Sequence, residues 1–202
     1  MHELEVFFDC SSPWTYLGFE SLQSLLIRQP RLQVTYKPIL VGGVFNAVNP
    51  SVYENRTNPV RAKQHYYAKD LQDWARHAGI VIGQPAVFPV NSVKAMRGAF
   101  YAMEENQLVE YARRVFSAYW TELRDVSQDD ELSKIVTAVG LDPEVFFTKI
   151  NDPAYKEKLK NNTEELIQRG GYGSPTFFLD QNDMYFGNDR IVLIEGKLNR
   201  TS

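Results

Sequence analysis

The chain has 202 residues, of which 44% are hydrophobic and 23% are charged, and its formal net charge is −3. This composition is typical of a globular protein with a hydrophobic core, and it excludes the basic surface of a nucleic-acid-binding protein. No apolar run approaches the roughly 20 residues of a membrane span, and residues 1–3 do not resemble the start of a signal peptide. Because one cysteine cannot form an intramolecular disulfide, we expect a reducing compartment, which in a bacterium is the cytoplasm.

A strand and a helix at the start of the chain meet at residues 9–12. Residues 4–8 are apolar and aromatic enough for a buried strand, and apolar residues three and four apart predict a helix that runs to residue 29. Ser12 before Pro13 is typical of a helix start, because a hydroxyl caps the first turn and proline needs no N–H donor there. Ser12 therefore lies at the positive end of a helix, where an anion such as a thiolate is favoured.

The next segment holds a strand, a loop and a long helix. Residues 32–40 alternate as a strand does, and Pro38 limits this strand to an edge or an end. Gly42 and Gly43 open a polar loop to about residue 59, and a helix with one apolar stripe is predicted over residues 60–78. The stripe consists of Tyr67, Leu71, Trp74, Ala75 and Ala78.

Lys63 lies on the same stripe, four residues before Tyr67. Two interpretations of a lysine in this position stay open. Its stem covers apolar surface while the ammonium group reaches water, or the ammonium group points into a cleft and meets a ligand carboxylate.

Helices dominate the rest of the chain until two strands and a helix close it. Residues 80–90 are extended, because Pro85 and Pro89 exclude a helix there. Helices are predicted over residues 91–105, 108–123 and 129–139, from residue 143, and over 153–169. Strands at residues 176–179 and 184–186 and a helix at 191–198 follow.

This order of elements predicts an α/β fold in which a thioredoxin-like domain is split by an inserted all-helical domain. The thioredoxin-like domain takes residues 1–58 and 170–202, and the insertion takes residues 59–169. The insertion has to pack back over the helix start at Ser12, because both of its ends return to the same sheet. The cleft between the two parts is then the expected ligand site, and no cluster of residues predicts a metal site.

A thioredoxin-like domain begins its first helix with a redox Cys-x-x-Cys motif. The matching residues here are Ser12-Pro13-Trp14-Thr15, so both sulfurs are absent and a hydroxyl replaces the first. Cys10 comes two residues too early and is expected to be a small buried apolar side chain. The sequence therefore disfavours a disulfide oxidoreductase.

Two later motifs would face this helix start. Ser174-Pro175 stands where a thioredoxin-like fold has a cis-proline, and a cis bond would expose the backbone of Ser174 to an extended peptide; the alternative is a simple turn. The backbone N–H groups of Asn188-Asp189-Arg190 could bind a carboxylate, and the Asp189 side chain could bind an ammonium group. The alternative is that this segment is only a helix cap with a surface ion pair.

These pieces suit glutathione, an extended tripeptide with an amino-acid end, a central cysteine and a terminal carboxylate. Residues 188–190 could hold the amino-acid end, Ser174 could pair with the backbone around the cysteine, and Lys63 could meet the far carboxylate. Ser12 could donate its hydroxyl to the sulfur. A hydroxyl donor at a helix N-terminus favours the thiolate over the thiol.

A set of motifs spread over nearly the whole chain carries a resemblance to a known family. They are Phe8-Asp9 with Ser12-Pro13-Trp14 and Tyr16, residues 63–71 with Trp74-Ala75, Phe88-Pro89-Val90-Asn91-Ser92, Gly173-Ser174-Pro175-Thr176-Phe177 and Phe186-Gly187-Asn188-Asp189-Arg190. With this set the chain resembles the 2-hydroxychromene-2-carboxylate isomerases, which belong with the kappa-class glutathione transferases.

The resemblance implies a thioredoxin fold with a helical insertion, glutathione as cofactor, a small aromatic substrate and a homodimer. Ser12 is then the serine that activates glutathione, although the neighbouring Ser11 offers a second hydroxyl; Ser12 is preferred because it occupies the cap. The glutathione-binding residues that the resemblance implies are Lys63, Ser174, Pro175, Asn188, Asp189 and Arg190. The substrate-pocket residues are Trp14, Phe88 and Asn91.

Three functions remain open. The first is a glutathione-dependent isomerase of an aromatic catabolic intermediate, in which a thiolate adds to the substrate and is later expelled. The second is a kappa-like transferase or peroxidase that uses the same thiolate on an electrophile or a peroxide, and the pocket formed by residues 42–58 and 87–91 would decide between the two. The third is a non-catalytic binder of glutathione or peptide on a degenerate disulfide-exchange scaffold.

Overall fold

The fold is seen in a computed structural model that describes residues 2–201. A π-helical turn, Ser117–Thr121, continues one helix, and a 3₁₀ turn, Asn188–Arg190, precedes the last. In chain order the main elements are β1 (Glu3–Phe8), α1 (Pro13–Arg28), β2 (Gln33–Pro38), α2 (Val41–Val48), α3 (Ser51–Thr57), α4 (Arg61–Ala78), α5 (Val93–Glu104), α6 (Leu108–Phe116), α7 (Asp129–Ala138), α8 (Pro143–Asn151), α9 (Pro153–Gln168), β3 (Thr176–Leu179), β4 (Asp183–Phe186) and α10 (Ile191–Thr201).

The strands form one mixed sheet in the order β2-β1-β3-β4. β2 runs parallel to β1, and Pro38 ends this edge strand opposite Phe8, as its missing N–H requires. β3 runs antiparallel to β1 and pairs Thr176 with Phe7. The end of β1 and the start of β3 therefore meet at one edge of the sheet, which brings the residues after β1 close to the residues before β3.

Helices cover both faces of the sheet. Leu4, Val6 and Phe8 of β1 lie in a large core cluster with α1, α10 and the helices from α4 to α9. Phe7 points to the opposite face, where it packs with Phe178 and with residues of α2 and α9. The helices from α4 to α9 thus share one hydrophobic core with the sheet, and the predicted thioredoxin-like arrangement with inserted helices is confirmed.

The prediction of a polar loop over residues 42–59 is wrong, because the chain forms α2 and α3 there. Val41 and Val44 are buried and lie three residues apart, so they supply the apolar contact that holds α2 on the sheet. The pair Gly42-Gly43 suggested a loop because glycine disfavours helices locally. Tertiary packing outweighs that preference here.

The prediction that Tyr67 lies on a buried stripe of α4 is also wrong. Tyr67 is 60% exposed, and the whole first half of α4 is exposed. Leu71, Trp74 and Ala75, in the second half, do pack on the core. The predicted helix over residues 108–123 likewise keeps its α-helical form only to Phe116.

None of the helices in residues 2–201 combines the length and apolar character needed to cross a membrane.

Candidate functional site

Ser12 begins helix α1, as its position before Pro13 predicted. Its side-chain oxygen accepts a hydrogen bond from the Thr15 N–H at 3.2 Å, and Pro13 occupies the first helical position. The Ser12 hydroxyl donates its proton to the Ser174 carbonyl at 3.2 Å. The hydroxyl therefore lies between the positive end of a 16-residue helix and a backbone acceptor from the turn before β3.

The Ser174-Pro175 turn packs directly against this helix start. The Ser174–Pro175 bond is cis, as the position before the third strand predicted. The Ser174 hydroxyl shares a 2.8 Å hydrogen bond with the fully buried Thr15 hydroxyl. At Gly18 a Cβ atom would lie 2.9 Å from the Pro175 ring and 3.4 Å from Asn188 Cα, so only glycine lets the helix approach both turns.

Helices of the middle segment hold the loop between β1 and α1. The Cys10 N–H donates to the Met96 sulfur of α5 at 3.3 Å, and the Trp120 indole N–H donates to the Cys10 carbonyl at 2.9 Å. This is the packing of the inserted helices over the helix start that the topology required. The Cys10 side chain is only 2% exposed, and burial raises the pKa of its thiol well above the ordinary value. Cys10 is thus a buried neutral side chain and not a nucleophile.

Ser11 does not share the environment of Ser12. Its N–H donates to the Asp9 carboxylate at 2.9 Å, and its hydroxyl also stabilises the charged form of Asp9. Ser11 therefore points its polar groups back toward the end of β1, whereas Ser12 points toward Ser174.

The Asn188–Arg190 turn lies beside Ser174 through their common contact with α1. Asn188 is 6% exposed, and its side-chain nitrogen has no hydrogen-bond partner among residues 2–201. Asp189 and Arg190 form an ion pair with each other at 2.5 Å, and both side chains are partly exposed. The turn thus offers an unpaired buried donor and an accessible acid and base.

Lys63 is not brought to this cluster by any contact in the described residues. It lies in the exposed first half of α4 and makes no hydrogen bond or ion pair there. The structure therefore brings together Ser12, Ser174, Pro175 and the Asn188–Arg190 turn, and the role of Lys63 stays a prediction.

The predicted pocket residues come from the start of α1 and from the segment before α5. Trp14 is partly buried against the core, Phe88 is half exposed and precedes a cis-proline, and Asn91 is exposed and accepts the Val93 N–H at 3.1 Å. The Phe88 ring lies 6.1 Å from the Trp120 ring, and Trp120 also contacts the loop that carries Ser12. Phe88 and Trp120 therefore form an aromatic wall next to the helix start.

Arg56 of α3 is a residue that the sequence analysis did not single out. Its guanidinium group lies 5.1 Å from the centre of the Phe88 ring and within 6 Å of the Phe45 and Tyr53 rings. Within residues 2–201 its guanidinium group contacts these aromatic rings and no carboxylate. The sequence contained one signal for it, because Arg56 is the single cation among residues 42–58. A cation free to meet an anion thus stands among aromatic rings.

No group of three or more potential metal ligands occurs in the part of the chain that the structure describes. The site therefore consists of a capped helix start, a cis-proline turn, a polar turn and an aromatic wall. This combination defines a thioredoxin-type fold that carries a hydroxyl in place of the redox sulfur.

Comparison with known proteins agrees with this class. The chain belongs to the DSBA-like thioredoxin domain family, which matches residues 3–199. It is 32% identical over 201 residues to 2-hydroxychromene-2-carboxylate isomerase of Pseudomonas putida, covering 98% of this chain and 94% of the relative. It is 26% identical to human glutathione S-transferase kappa 1, covering 95% and 88% of the two chains.

A solved structure of a 2-hydroxychromene-2-carboxylate isomerase is also similar to this chain. It has a TM-score of 0.86 and 30% sequence identity, and the match covers 98% of this chain and 95% of that one. The resemblance found in the sequence is therefore confirmed. Because these relatives are named as an isomerase and a transferase, the expectation of an enzyme is confirmed as well.

Proposed function

We propose that the chain is a glutathione-dependent isomerase that acts on an aromatic carboxylate of the 2-hydroxychromene-2-carboxylate type. The observation that carries the proposal is the pairing of the Ser12 hydroxyl with the Ser174 carbonyl at the N-terminus of α1. A hydroxyl at this end of a helix can stabilise a bound thiolate without forming a disulfide with it. The 32% identity to an isomerase supports the class of substrate.

The residues around Ser12 fit glutathione. The unpaired side-chain nitrogen of Asn188 is a buried donor, and a buried donor without a partner is costly unless a ligand supplies an acceptor. Asp189 can exchange its ion pair with Arg190 for a ligand ammonium group, because both side chains are accessible. The Ser174 backbone next to the cis bond can pair with an extended peptide.

Bound glutathione would supply a thiolate that can add to the substrate and leave it again. Ser12 holds its single hydroxyl proton on the Ser174 carbonyl. It can turn this proton toward a sulfur once a ligand N–H replaces it on the carbonyl. Ser12 and the helix N-terminus would then both lower the pKa of the bound thiol.

Arg56 supports an aromatic substrate that carries a carboxylate. The three rings around its guanidinium group offer faces for stacking, and the guanidinium group can bind a carboxylate through two hydrogen bonds. Phe88 connects this cluster to the loop that carries Ser12 through Trp120. The proposed orientation places the substrate between the aromatic wall and the helix start.

A kappa-like glutathione transferase or peroxidase is the second candidate, and the kappa-class relative favours it. Both activities would use Ser12 in the same way, so the helix start does not separate them. An assay with glutathione that compares chromene isomerisation with chlorodinitrobenzene conjugation would separate them. Faster conjugation than isomerisation would favour the transferase.

Glutathione binding is tested by calorimetry and by thermal unfolding. Glutathione at about 100 times its Kd should stabilise the protein by about 2.7 kcal/mol through mass action. S-methylglutathione is the matched ligand, because it keeps the peptide but cannot form a thiolate. It should also bind, without the thiolate absorbance. No heat and no change in Tm at millimolar glutathione would refute the proposal.

The homodimer and the reducing compartment are part of the same proposal. The aromatic side chains of Tyr66 and Tyr67 and the side chain of Val60 are each more than half exposed on or next to α4. A second copy of the chain would bury this apolar surface. Sedimentation equilibrium gives the mass directly, and a monomer at micromolar concentration would contradict the dimer.

A further inference from the structure

Asp9, at the end of β1, is a buried carboxylate that the proposed chemistry does not use. Its side chain is 1% exposed, and no Lys or Arg of residues 2–201 pairs with it. Three groups donate hydrogen bonds to it. The Ser11 N–H reaches Oδ1 at 2.9 Å, and the Val41 N–H and the Ser92 hydroxyl reach Oδ2 at 2.8 and 3.1 Å.

These donors come from three separate segments of the candidate site. Ser11 precedes Ser12, Val41 is the first residue of α2, and Ser92 lies at the start of α5 next to Asn91. α2 has no side-chain cap from its own N-cap residue, so Asp9 caps it from a distance. The Asp9 N–H also donates to the Ser174 hydroxyl at 3.1 Å.

We propose that Asp9 is a positioning residue that holds α2 and residues 88–92 in place relative to the Ser12–Ser174 pair. Its four hydrogen bonds join the loop before α1, the start of α2, the start of α5 and the cis-proline turn. This role rests on the proposed function, because it aligns the proposed substrate wall with the proposed thiol site. Asp9 itself contacts neither ligand in the proposal.

The chemistry of the site explains why a carboxylate is needed. Two N–H groups and one hydroxyl converge on Asp9, and an asparagine of the same shape has only one acceptor oxygen. Asp9→Asn would therefore leave an N–H of Val41 or of Ser11 facing the donor group of the amide, whereas the Ser92 hydroxyl can turn and accept.

Stability alone does not account for this carboxylate. Burial raises the pKa of Asp9, because a buried charge without a cationic partner is unfavourable in the fold. An amide of the same size removes that charge. The amide, however, leaves one N–H without an acceptor, so the two effects on stability oppose each other and the specific consequence of Asp9→Asn is the loss of a link between the segments around it.

The test compares Asp9→Asn with the unmodified protein. We expect Tm to change little and the Kd of glutathione to stay within about threefold, while kcat falls at least about tenfold because the aromatic wall loses its alignment with the Ser12–Ser174 pair. Hydrogen exchange supplies a readout that does not depend on activity. Peptides covering residues 39–48, or those covering residues 9–16, should exchange about tenfold faster in Asp9→Asn, because the N–H of Val41 or that of Ser11 loses its acceptor.

Two further variants complete the test. Asp142→Asn changes the same chemical group at the start of α8, where Asp142 accepts the Glu144 and Val145 N–H groups outside the site, so kcat should not change. Ser92→Ala removes one of the bonds to Asp9 and should give a smaller loss of kcat, which keeps the proposal testable if Asp9→Asn fails to fold.

The possible outcomes distinguish a failure of the positioning role of Asp9 from a failure of the proposed function. If the unmodified protein has glutathione-dependent turnover and Asp9→Asn keeps kcat, or loses kcat only in proportion to Tm and Kd, the positioning role is overturned. Unchanged exchange over both residues 39–48 and residues 9–16 would overturn it independently of any assay of activity. No turnover in the unmodified protein would instead overturn the proposed function. Hydrogen exchange in Asp9→Asn would still show whether Asp9 holds α2.

Discussion

Ser12→Ala removes one hydroxyl that the structure places in two hydrogen bonds. The variant loses the cap acceptor for the Thr15 N–H and the donor to the Ser174 carbonyl, both at 3.2 Å. Loss of a serine N-cap costs about 1 kcal/mol, which lowers Tm by about 2–4 °C in a chain of this size. The fold should therefore persist, and any larger effect has to come from chemistry.

The expected chemical effect of Ser12→Ala is much larger than the structural one. A hydrogen bond to a charged group is worth about 1.5–3 kcal/mol, so its loss should raise the pKa of the bound thiol by about one to two units. Turnover should fall by about 10²-fold, as it does when one preorganised donor is removed. The Kd of glutathione should change little, because Ser12 is expected to contact only the sulfur. The pH dependence of thiolate absorbance in the complex measures the pKa directly.

Two controls separate the hydroxyl from the helix cap. Ser12→Gly keeps most of the capping stability, because glycine is a good N-cap residue, but it also lacks the hydroxyl. Ser12→Ala and Ser12→Gly should therefore have equally low turnover although they differ in Tm. Ser11→Ala should leave the pKa of the bound thiol unchanged and should lower turnover no more than Ser92→Ala does, because the Ser11 hydroxyl interacts with Asp9 and not with the sulfur. Turnover that recovers in Ser12→Gly, or a thiol pKa that rises only in Ser11→Ala, would refute the reasoning.

Three further predictions test the periphery of the site and the fold. Lys63→Ala should raise the Kd of glutathione by at most about tenfold, because one exposed charge contact is worth about 1 kcal/mol. Calorimetry measures this Kd, and an equal loss of affinity in Arg61→Ala would show that only the overall charge of exposed α4 matters. Asp189→Asn should weaken glutathione more than an analogue without the amino group, and equal losses for the two ligands would exclude Asp189 as the partner of the ammonium group. A hydrogen bond from Tyr155 and two lysines lower the pKa of Glu104 to about 2, so its stabilising effect is complete above about pH 4.5 and is lost as the pH falls through about 2. Glu104→Gln should therefore lower the free energy of unfolding at pH 7 by only about 1 kcal/mol, since Glu104 is 37% exposed. Urea unfolding at pH 7 and pH 3 should show that the variant loses less free energy of unfolding at pH 3 than at pH 7. An equal loss at the two pH values would contradict this pKa.

Helix starts could be predicted from the sequence because their hydrogen bonds are local. Ser12 accepts the N–H of Thr15, three residues later, and Asp142 and Asp152 cap their helices through N–H groups two residues later. A short polar side chain followed by proline thus contains most of the information that decides the start. The hairpin of β3 and β4 is similarly local, since its turn covers only residues 180–182.

The rest of the site depends on contacts that no local pattern reports. Asp9 meets Ser92 across 83 positions, and the Cys10 backbone meets Met96 and Trp120 across 86 and 110 positions. From the sequence alone, Asp9 accordingly stands out only as part of a family motif. The exposed first half of α4 was missed for the opposite reason, because an apolar residue at helical spacing, such as Tyr67, does not report whether anything packs against it.

The replacement of the redox sulfur by Ser12 changes what the same helix start can do. A thiol in this position, with a pKa lowered by the helix, would attack oxidised glutathione and keep half of it as a mixed disulfide. A hydroxyl keeps the electrostatic advantage of the position but forms no bond to sulfur, so a bound thiolate stays free to react with a third molecule. Burial holds the single cysteine of the chain, Cys10, as a neutral thiol, so it does not compete. In the proposed mechanism the site would combine a stabilised thiolate with an aromatic wall held nearby, and an enzyme that adds and expels a thiolate requires both.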